Sequence, residues 1–231
     1  MSQIKVKQSK TSTVLEKLRL DLVSGYFEPG QKLQMEQLKE RYEVGYSPLR
    51  EALSRLVSHG LVSFEDLCGF AVPSLSLAEL YDLYAVRIQI ETRALELSIQ
   101  YGDQYWEADI IACWHRYAKY LTSSSNKPLD PVEWDALQKE FTHALIKACQ
   151  SPWLLKIQDM LYDHSSRYRF LCLGRHHNDG HVLTEFKQEN EELVAAVLAR
   201  DTKKAIQISQ IGWDNSIQIM ADSLKDKNAW E

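Results

Sequence analysis

The side chains that could do chemistry in this 231-residue sequence form no familiar catalytic set. It has no glycine-rich phosphate loop, no nucleophile elbow and no His-Glu-x-x-His motif, and no pair of carboxylates has a spacing above chance. The run Asp163-His164-Ser165 combines three catalytic residue types, but neighbouring residues of a helix point to different faces. We therefore predict that the protein is not an enzyme.

Three histidines lie close together in the sequence, at His176, His177 and His181. Their spacing could suit a zinc ion. The intervening Asn178-Asp179-Gly180 would break any helix between them, so a polar surface loop is the favoured interpretation.

A segment suited to contact DNA begins at Tyr46. Ser47-Pro48 is typical of a helix start, with Ser47 as the N-cap and Pro48 at the first helical position. An apolar stripe follows at Leu49, Ala52, Leu53, Leu56 and Val57. We expect Tyr46, Ser47 and the first backbone N–H groups of this helix to bind phosphates, because a helix N-terminus favours anions.

The opposite face of the same helix carries Arg50, Ser54 and, at its edge, Arg55. Arg50 is the strongest candidate for reading a base, since arginine can donate to both acceptors of guanine in the major groove. The alternative is a solvated Arg50 that pairs with Glu51 or Glu43.

Three short helices and a hairpin position this segment. The periodicity predicts helices over 11–24, 35–42 and 47–59, and short strands over 61–64 and 70–72. This order is typical of a winged helix-turn-helix, in which the third helix enters the major groove and the hairpin contacts neighbouring backbone or minor groove. We assign it to residues 1–73.

The remainder, residues 77–231, predicts helices only. Their expected ranges are 77–101, 103–122, 132–149, 153–172, 182–199 and 201–224, the last with Asp201 as a plausible N-cap. Six helices without a strand signal indicate an antiparallel bundle. The predicted fold class is therefore mainly α, a winged helix-turn-helix followed by an all-helical domain.

Composition and charge fit a two-part protein. The chain is 45% hydrophobic and 26% charged, as in ordinary globular proteins, and no apolar run approaches the roughly 20 residues of a membrane helix. The first ten residues lack the apolar core of a signal peptide, so we expect a cytoplasmic protein without a membrane partner. Four scattered cysteines predict reduced thiols, mostly buried.

The charge is distributed unevenly. Residues 1–73 carry 10 Lys and Arg against 9 Asp and Glu, whereas residues 74–231 carry 17 against 23. The difference suggests that the two parts have different tasks.

Four segments of the first part resemble the DNA-binding domain of the GntR family of bacterial transcription factors. They read SGYFEPGQKL at 24–33, SPLREALSRL at 47–56, GLV at 60–62 and GFAV at 69–72, in the family's order and spacing. The resemblance implies DNA contacts by Tyr46, Ser47, Arg50, Ser54, Arg55 and Gly69.

The chain departs from the family pattern at cationic positions. Tyr46 stands where the family has an arginine, Gly45 where it has a serine, and Cys68 where the wing has an arginine before its glycine. We therefore expect an operator unlike the family's usual one and a shallower dependence of affinity on salt.

The second part resembles the FCD domain, the helical effector-binding half of the FadR-like branch of this family. The resemblance rests on Arg87-x-x-x-Glu91-x-x-Ala94 and on residues 195–202, which read AAVLARDT. Many FCD domains bind a divalent metal, but the matching positions here are Gln138, Thr142, Asn190 and Gly212. We predict no metal or other cofactor; the alternative is a one-residue shift that uses His143, with Lys139 four residues before it.

An anionic effector would then be held by arginines. Arg87 corresponds to a position that commonly faces the effector pocket in the family, and Arg167 and Arg169 flank Tyr168 on a later helix. Two guanidinium groups could clamp a small carboxylate or dicarboxylate, with Gln138, Thr142 and Asn190 as further ligands. The alternative is an arginine paired with buried Glu91 or Asp163.

Together these observations predict a transcription regulator, a repressor. It would bind an inverted-repeat operator as a homodimer and leave it when a small carboxylate enters the helical domain, with coupling through the linker Pro73–Ser76. The alternative is a helical small-molecule-binding or interaction module without sequence-specific DNA binding.

Overall fold

The computed structural model describes residues 10–123, 130–176 and 180–228, which form nine helices and two strands. The chain divides into two compact units, Met1–Leu75 and Ser76–Glu231. The first contains α1 (Lys10–Val23), α2 (Met35–Tyr42), α3 (Tyr46–Ser58), β1 (Ser63–Glu65) and β2 (Gly69–Ala71). The second contains α4 (Leu77–Tyr101), α5 (Gln104–Ser123), α6 (Pro131–Ile146), α7 (Pro152–His176), α8 (Gly180–Leu198) and α9 (Thr202–Asn228).

The first unit is a winged helix-turn-helix. Helices α1 and α3 pack against each other over a core of leucines and valines that includes Leu18, Leu49 and Leu53. Strands β1 and β2 are antiparallel with Phe64 opposite Phe70, and residues 30–33 pair with the far side of β2. Because the apolar stripe of α3 is buried in this core, the side chains on the opposite face of α3 are exposed.

The start of α3 differs from the prediction. The helix begins at Tyr46 and its N-cap is Gly45, in extended conformation, so Ser47 and Pro48 are its second and third residues. Proline is compatible with any position whose N–H lacks an intrahelical acceptor, which includes the third. The position of Pro48 therefore does not identify the first residue of the helix, and the assignment of Ser47 as its N-cap was wrong.

The second unit is an all-helical bundle, which confirms the predicted fold class. Polar side chains begin several of its helices: Ser76, Asp103, Asp130 and Asp201 each accept a backbone N–H of the following turn. One core cluster of this unit is rich in aromatic and aliphatic residues and comes from α4, α5, α6, α8 and α9.

Three boundaries in this unit depart from expectation by three or four residues, one of them the end of α9, which lies at Asn228 rather than at Leu224. Helix α6 ends at Ile146 rather than at Cys149, and α7 continues to His176. The polar loop predicted over 174–180 is shorter than expected, since α7 includes residues 174–176 and α8 begins at Gly180. Residues 177–179 and the side chains of the three histidines lie outside the described residues. Among the helices described, none is long and apolar enough to cross a membrane. Cys113, Cys149 and Cys172 are buried free thiols, and Cys68 is exposed.

Candidate functional site

The outer face of α3 and the wing enclose a concave surface in the first unit. Arg50 and Ser54 of α3 line it together with Cys68 and Gly69 of the wing, around a volume of about 580 Å³. Lys32, Gln34 and the rings of Phe64 and Phe70 complete the wall. Gly69 has a φ of +85°, a conformation that glycine adopts without strain, and it begins β2. Three of the six predicted DNA contacts, Arg50, Ser54 and Gly69, therefore line one surface.

Arg50 is exposed, and within the described part of the chain it has no ion-pair partner. Glu51, the alternative partner, instead accepts from Arg55 Nη2 at 2.7 Å and from Thr11 Oγ1 at 3.2 Å. Arg55 is thus an exposed member of an i, i+4 ion pair. The guanidinium of Arg50 is available for an external acceptor.

Tyr46 belongs to a contact between α2 and α3. Its hydroxyl donates to the carboxylate of Glu36, and Lys39 Nζ lies 4.8 Å from the centroid of its ring. The hydrogen bond from Tyr46, followed by that from Lys39, lowers the pKa of Glu36. Lys39 therefore brings a positive charge close to the helix start at which the family's arginine is missing.

Five helices of the second unit surround a cavity of about 110 Å³. For scale, an engineered cavity of about 150 Å³ holds benzene. Five of the six predicted effector residues line it: Arg87, Gln138, Thr142, Arg169 and Asn190. Apolar side chains, among them Phe141, Phe186, Leu193 and Trp213, form much of the remaining wall.

Arg87 is buried and paired. Its Nε donates to Glu91 Oε1 at 2.8 Å, and its Nη1 donates to Ser165 Oγ at 2.8 Å and to Tyr84 Oη at 3.3 Å. Gln158 Nε2 also donates to the same carboxylate, at 3.1 Å. Burial opposes the charge of Arg87, but Glu91 and Tyr84 outweigh it and raise the pKa of the guanidinium.

Arg169 is the second buried guanidinium. Its Nη2 donates to Asp135 Oδ1 at 2.8 Å and its Nη1 to Ser165 Oγ at 2.6 Å. Its central carbon lies 4.0 Å from the ring centroid of Tyr162. Burial lowers and Tyr162 and Asp135 raise the pKa of Arg169, with a net increase. Ser165 therefore bridges Arg87 and Arg169, so the two cations belong to one network.

Both arginines are paired internally, as the alternative interpretation expected, but only one of them has a partner named there. Arg87 binds Glu91 as that alternative stated, whereas Arg169 binds Asp135 rather than Asp163. Asp163 accepts from Lys139 Nζ at 2.8 Å.

Arg167 does not line the cavity. Its Nη2 donates to Glu79 Oε1 at 3.1 Å, near the start of α4. Residues two apart on a helix point about 200° apart, so Arg167 and Arg169 cannot face the same space. The expectation that both arginines flank one pocket is corrected by this geometry.

The residues aligned with the family's metal ligands do not fit a divalent cation. Gln138, Thr142, Asn190 and Gly212 all line the cavity, but they offer only amides, a hydroxyl and a bare backbone. The two guanidinium groups in the same walls have no lone pair to offer a metal ion. His143 is not among the lining residues; it borders a surface groove with Cys113 and Lys147, so the one-residue shift is not supported.

Sequence reasoning missed one charged wall residue, Glu189. It lies on α8 between Phe186 and Leu193, at intervals of three and four residues that put all three on one face. This spacing, together with Asn190, could have revealed it.

Comparison with known proteins agrees with the two-unit structure. Residues 10–72 match the model of the bacterial regulatory proteins of the gntR family, and residues 82–211 match the FCD domain. The chain is 38% identical over 192 residues to the HTH-type transcriptional repressor GlaR of Escherichia coli K12, covering 83% of this chain and 86% of the relative. It is 33% identical to the HTH-type transcriptional regulator BphR of Paraburkholderia xenovorans, covering 92% and 86%.

Solved structures share the fold. Escherichia coli McbR/YncC superposes with a TM-score of 0.81 at 22% identity, covering 94% of this chain and 99% of the other. A GntR regulator from Rhodococcus sp. RHA1 gives 0.74 at 20% identity, covering 92% and 98%. The family consists of transcriptional regulators, which confirms the prediction that the chain is not an enzyme. The chain belongs to the GntR family of transcriptional regulators, with a helix-turn-helix domain followed by an FCD effector-binding domain.

Proposed function

We propose that the protein is a repressor that binds an inverted-repeat operator as a homodimer and is released by a small carboxylate or dicarboxylate in the FCD cavity. The observation that carries the effector class is the pair of buried guanidinium groups in the cavity wall, Arg87 and Arg169. The relatedness to a named repressor supports the sign of regulation.

Arg87 has unused hydrogen-bonding capacity. Its Nε and Nη1 are bonded, but its Nη2 makes no hydrogen bond with any described residue. Thr142 Oγ1, on another wall, also has no partner there. A carboxylate that accepts from both groups would use two donors that have no acceptor among the described residues, and charge-assisted bonds of this kind are stronger than neutral ones.

A route to the DNA-binding unit begins next to Arg169. The following contacts lie within the second unit: Tyr168 Oη donates to Glu79 Oε2 at 2.6 Å and accepts from Ser76 N at 3.4 Å. Ser76 is the last residue of the linker Pro73–Ser76. A ligand that shifts Arg169 would shift Tyr168 on the same helix turn, and with it the point at which the linker is anchored.

The test is fluorescence anisotropy with the full chain and a labelled duplex from the region flanking its own gene. The titration is repeated with C4–C6 dicarboxylates and with the monocarboxylates of equal length. We expect specific binding that at least one acid weakens about tenfold or more. If the duplex is bound specifically but no acid alters the affinity, the effector assignment is wrong. If no specific binding is observed, the operator assignment is wrong.

Arg87→Lys keeps the charge but loses the planar fork of donors, so it should lower sensitivity to the acid about tenfold. Arg93→Lys, an exposed position on the same helix, is the matched control.

A further inference from the structure

Both guanidinium groups in the wall of the FCD cavity are ion-paired, whereas one carboxylate of the wall is not. Arg87 is paired with Glu91 and Arg169 with Asp135. Glu189 also lines the cavity, and no cation among the described residues forms an ion pair with it. One negative charge in the wall is therefore unbalanced.

The carboxylate of Glu189 has free space beside it. Its Oε1 accepts from Asn215 Nδ2 at 2.8 Å, while its Oε2 lies 3.6 Å from the position that a Cβ on Gly212 would occupy. The absence of a side chain at Gly212 keeps this oxygen accessible from the cavity. Burial, together with the negative charges of Glu185 and Glu192, raises the pKa of Glu189. A bound cation would relieve this unfavourable environment.

A second acceptor is unused in the same cavity. Gln138 Oε1 is buried and has no hydrogen-bond partner among the described residues. Leaving such an oxygen unsatisfied costs roughly 1–3 kcal/mol, so it favours a ligand that can donate to it. The rings of Phe186 and Trp213 line the same space, and aromatic faces attract ammonium groups.

We infer that the effector is a small zwitterion, whose carboxylate binds at Arg87 and whose ammonium group binds Glu189, with Gln138 Oε1 as a further acceptor. The inference rests on the proposed function, because it describes the ligand of the same cavity. A dicarboxylate would instead bring a second negative charge to a wall that already holds an unbalanced one. The ammonium group makes the ligand's charges complementary to those of the wall.

The experiment is isothermal titration calorimetry of the full chain with C5 acids that differ in one substituent. The series is pentanoate, 5-hydroxypentanoate, glutarate, 2-aminopentanoate and 5-aminopentanoate. We expect at least one amino acid to bind about tenfold or more tightly than glutarate and than 5-hydroxypentanoate. The two amino acids differ in the separation of their charges, so the tighter one gives the distance that the cavity spans.

Glu189→Gln removes the charge and keeps the shape. We expect it to weaken the preferred amino acid about tenfold or more, while glutarate binds equally or more tightly. Glu191→Gln, the same change at an exposed position of the same helix outside the cavity wall, should leave the order of affinities unchanged.

The outcomes separate the two hypotheses. If glutarate binds as tightly as both amino acids, or if Glu189→Gln and Glu191→Gln give equal selectivity, the zwitterion is wrong and the carboxylate effector stands. If no acid of this series or of the operator-release panel binds, the carboxylate effector fails, and the zwitterion fails with it.

Discussion

At the residue scale, Arg50 is distinguished by the lack of an ion-pair partner among the described residues. Glu51, the acceptor next to it, is engaged by Arg55 and Thr11, and Arg50 faces the concave surface between α3 and the wing. A long cationic side chain that has no partner among the described residues need not break an internal ion pair when it contacts DNA. This is the property expected of a base-reading residue.

We predict that Arg50→Ala weakens specific operator binding by about 1–3 kcal/mol, because a bidentate contact to guanine would be lost. Binding to a duplex of unrelated sequence should fall much less. Anisotropy titrations with both duplexes measure the two effects, and Arg93→Ala, in the FCD unit, controls for the change of net charge. An equal loss on both duplexes would reassign Arg50 to a phosphate contact.

Glu189 gives a second prediction at this scale, for the protein without ligand. Since the pKa of Glu189 in the folded state is raised above 4.5, the folded protein binds its proton more tightly than the unfolded chain does. The ionised carboxylate therefore lowers the free energy of unfolding as the pH rises above about 4.5, and the deficit is complete once the pH exceeds the folded-state pKa.

Glu189→Gln should remove this deficit. We expect the variant to exceed the wild type by less than about 1 kcal/mol at neutral pH, since the site is partly solvated, and the difference should shrink as the pH falls toward 4.5. Urea unfolding at several pH values measures it. A difference that grows on acidification would contradict the assignment.

At the element scale, α7 presents its functional groups on two faces. Arg169 faces the cavity, whereas Arg167 and Tyr168 contact Glu79 at the first turn of α4. Within one helical turn, α7 therefore contacts both the FCD cavity and the residues that follow the linker. A helix in this position can transmit a displacement from the cavity to the residues that follow the linker without itself contacting DNA.

We predict that Tyr168→Phe separates effector binding from release of DNA. The variant loses the hydrogen bonds to Ser76 and Glu79 but keeps the ring in its buried place. Effector affinity by calorimetry should stay within about twofold, while the acid should release DNA several-fold less effectively. Tyr120→Phe, which removes a tyrosine hydrogen bond at the start of α6, is the control. Unchanged release by the Tyr168 variant would exclude this route.

At the scale of the whole molecule, net charge and symmetry govern binding. The chain is acidic overall, with a net charge of −5, and all of the negative excess lies in the residues after position 73. DNA binding must therefore depend on a local surface rather than on the average charge. Two copies related by a twofold axis would each present one α3 to one half of an inverted repeat.

We predict a dimer at micromolar concentration by sedimentation, both free and on DNA. The two half-sites should lie about one helical turn or a multiple of it apart, because both recognition helices approach one face of the duplex. Inserting about half a turn between the half-sites should abolish tight binding, while inserting a full turn should weaken it less. A species that sediments as a monomer in both conditions would overturn the dimeric operator complex.

The sequence by itself determined the family, the fold class and most element positions. Helical periodicity and capping residues act over a few neighbours, so α2, α4 and the start of α9 could be placed from local pattern. The aligned positions Arg87, Gln138, Thr142 and Asn190 also converge on one cavity, since motif spacing carries the fold with it.

Only the tertiary structure decided which partners the charged side chains have. Asp135 and Arg169 are 34 residues apart, and Glu79 and Arg167 are 88 apart, so no local pattern could pair them. The same holds for Glu189, which has no ion-pair partner among the described residues although it lines a cavity with two arginines. Pairing of charges depends on distances between helices, which packing fixes and which sequence spacing along one helix does not contain.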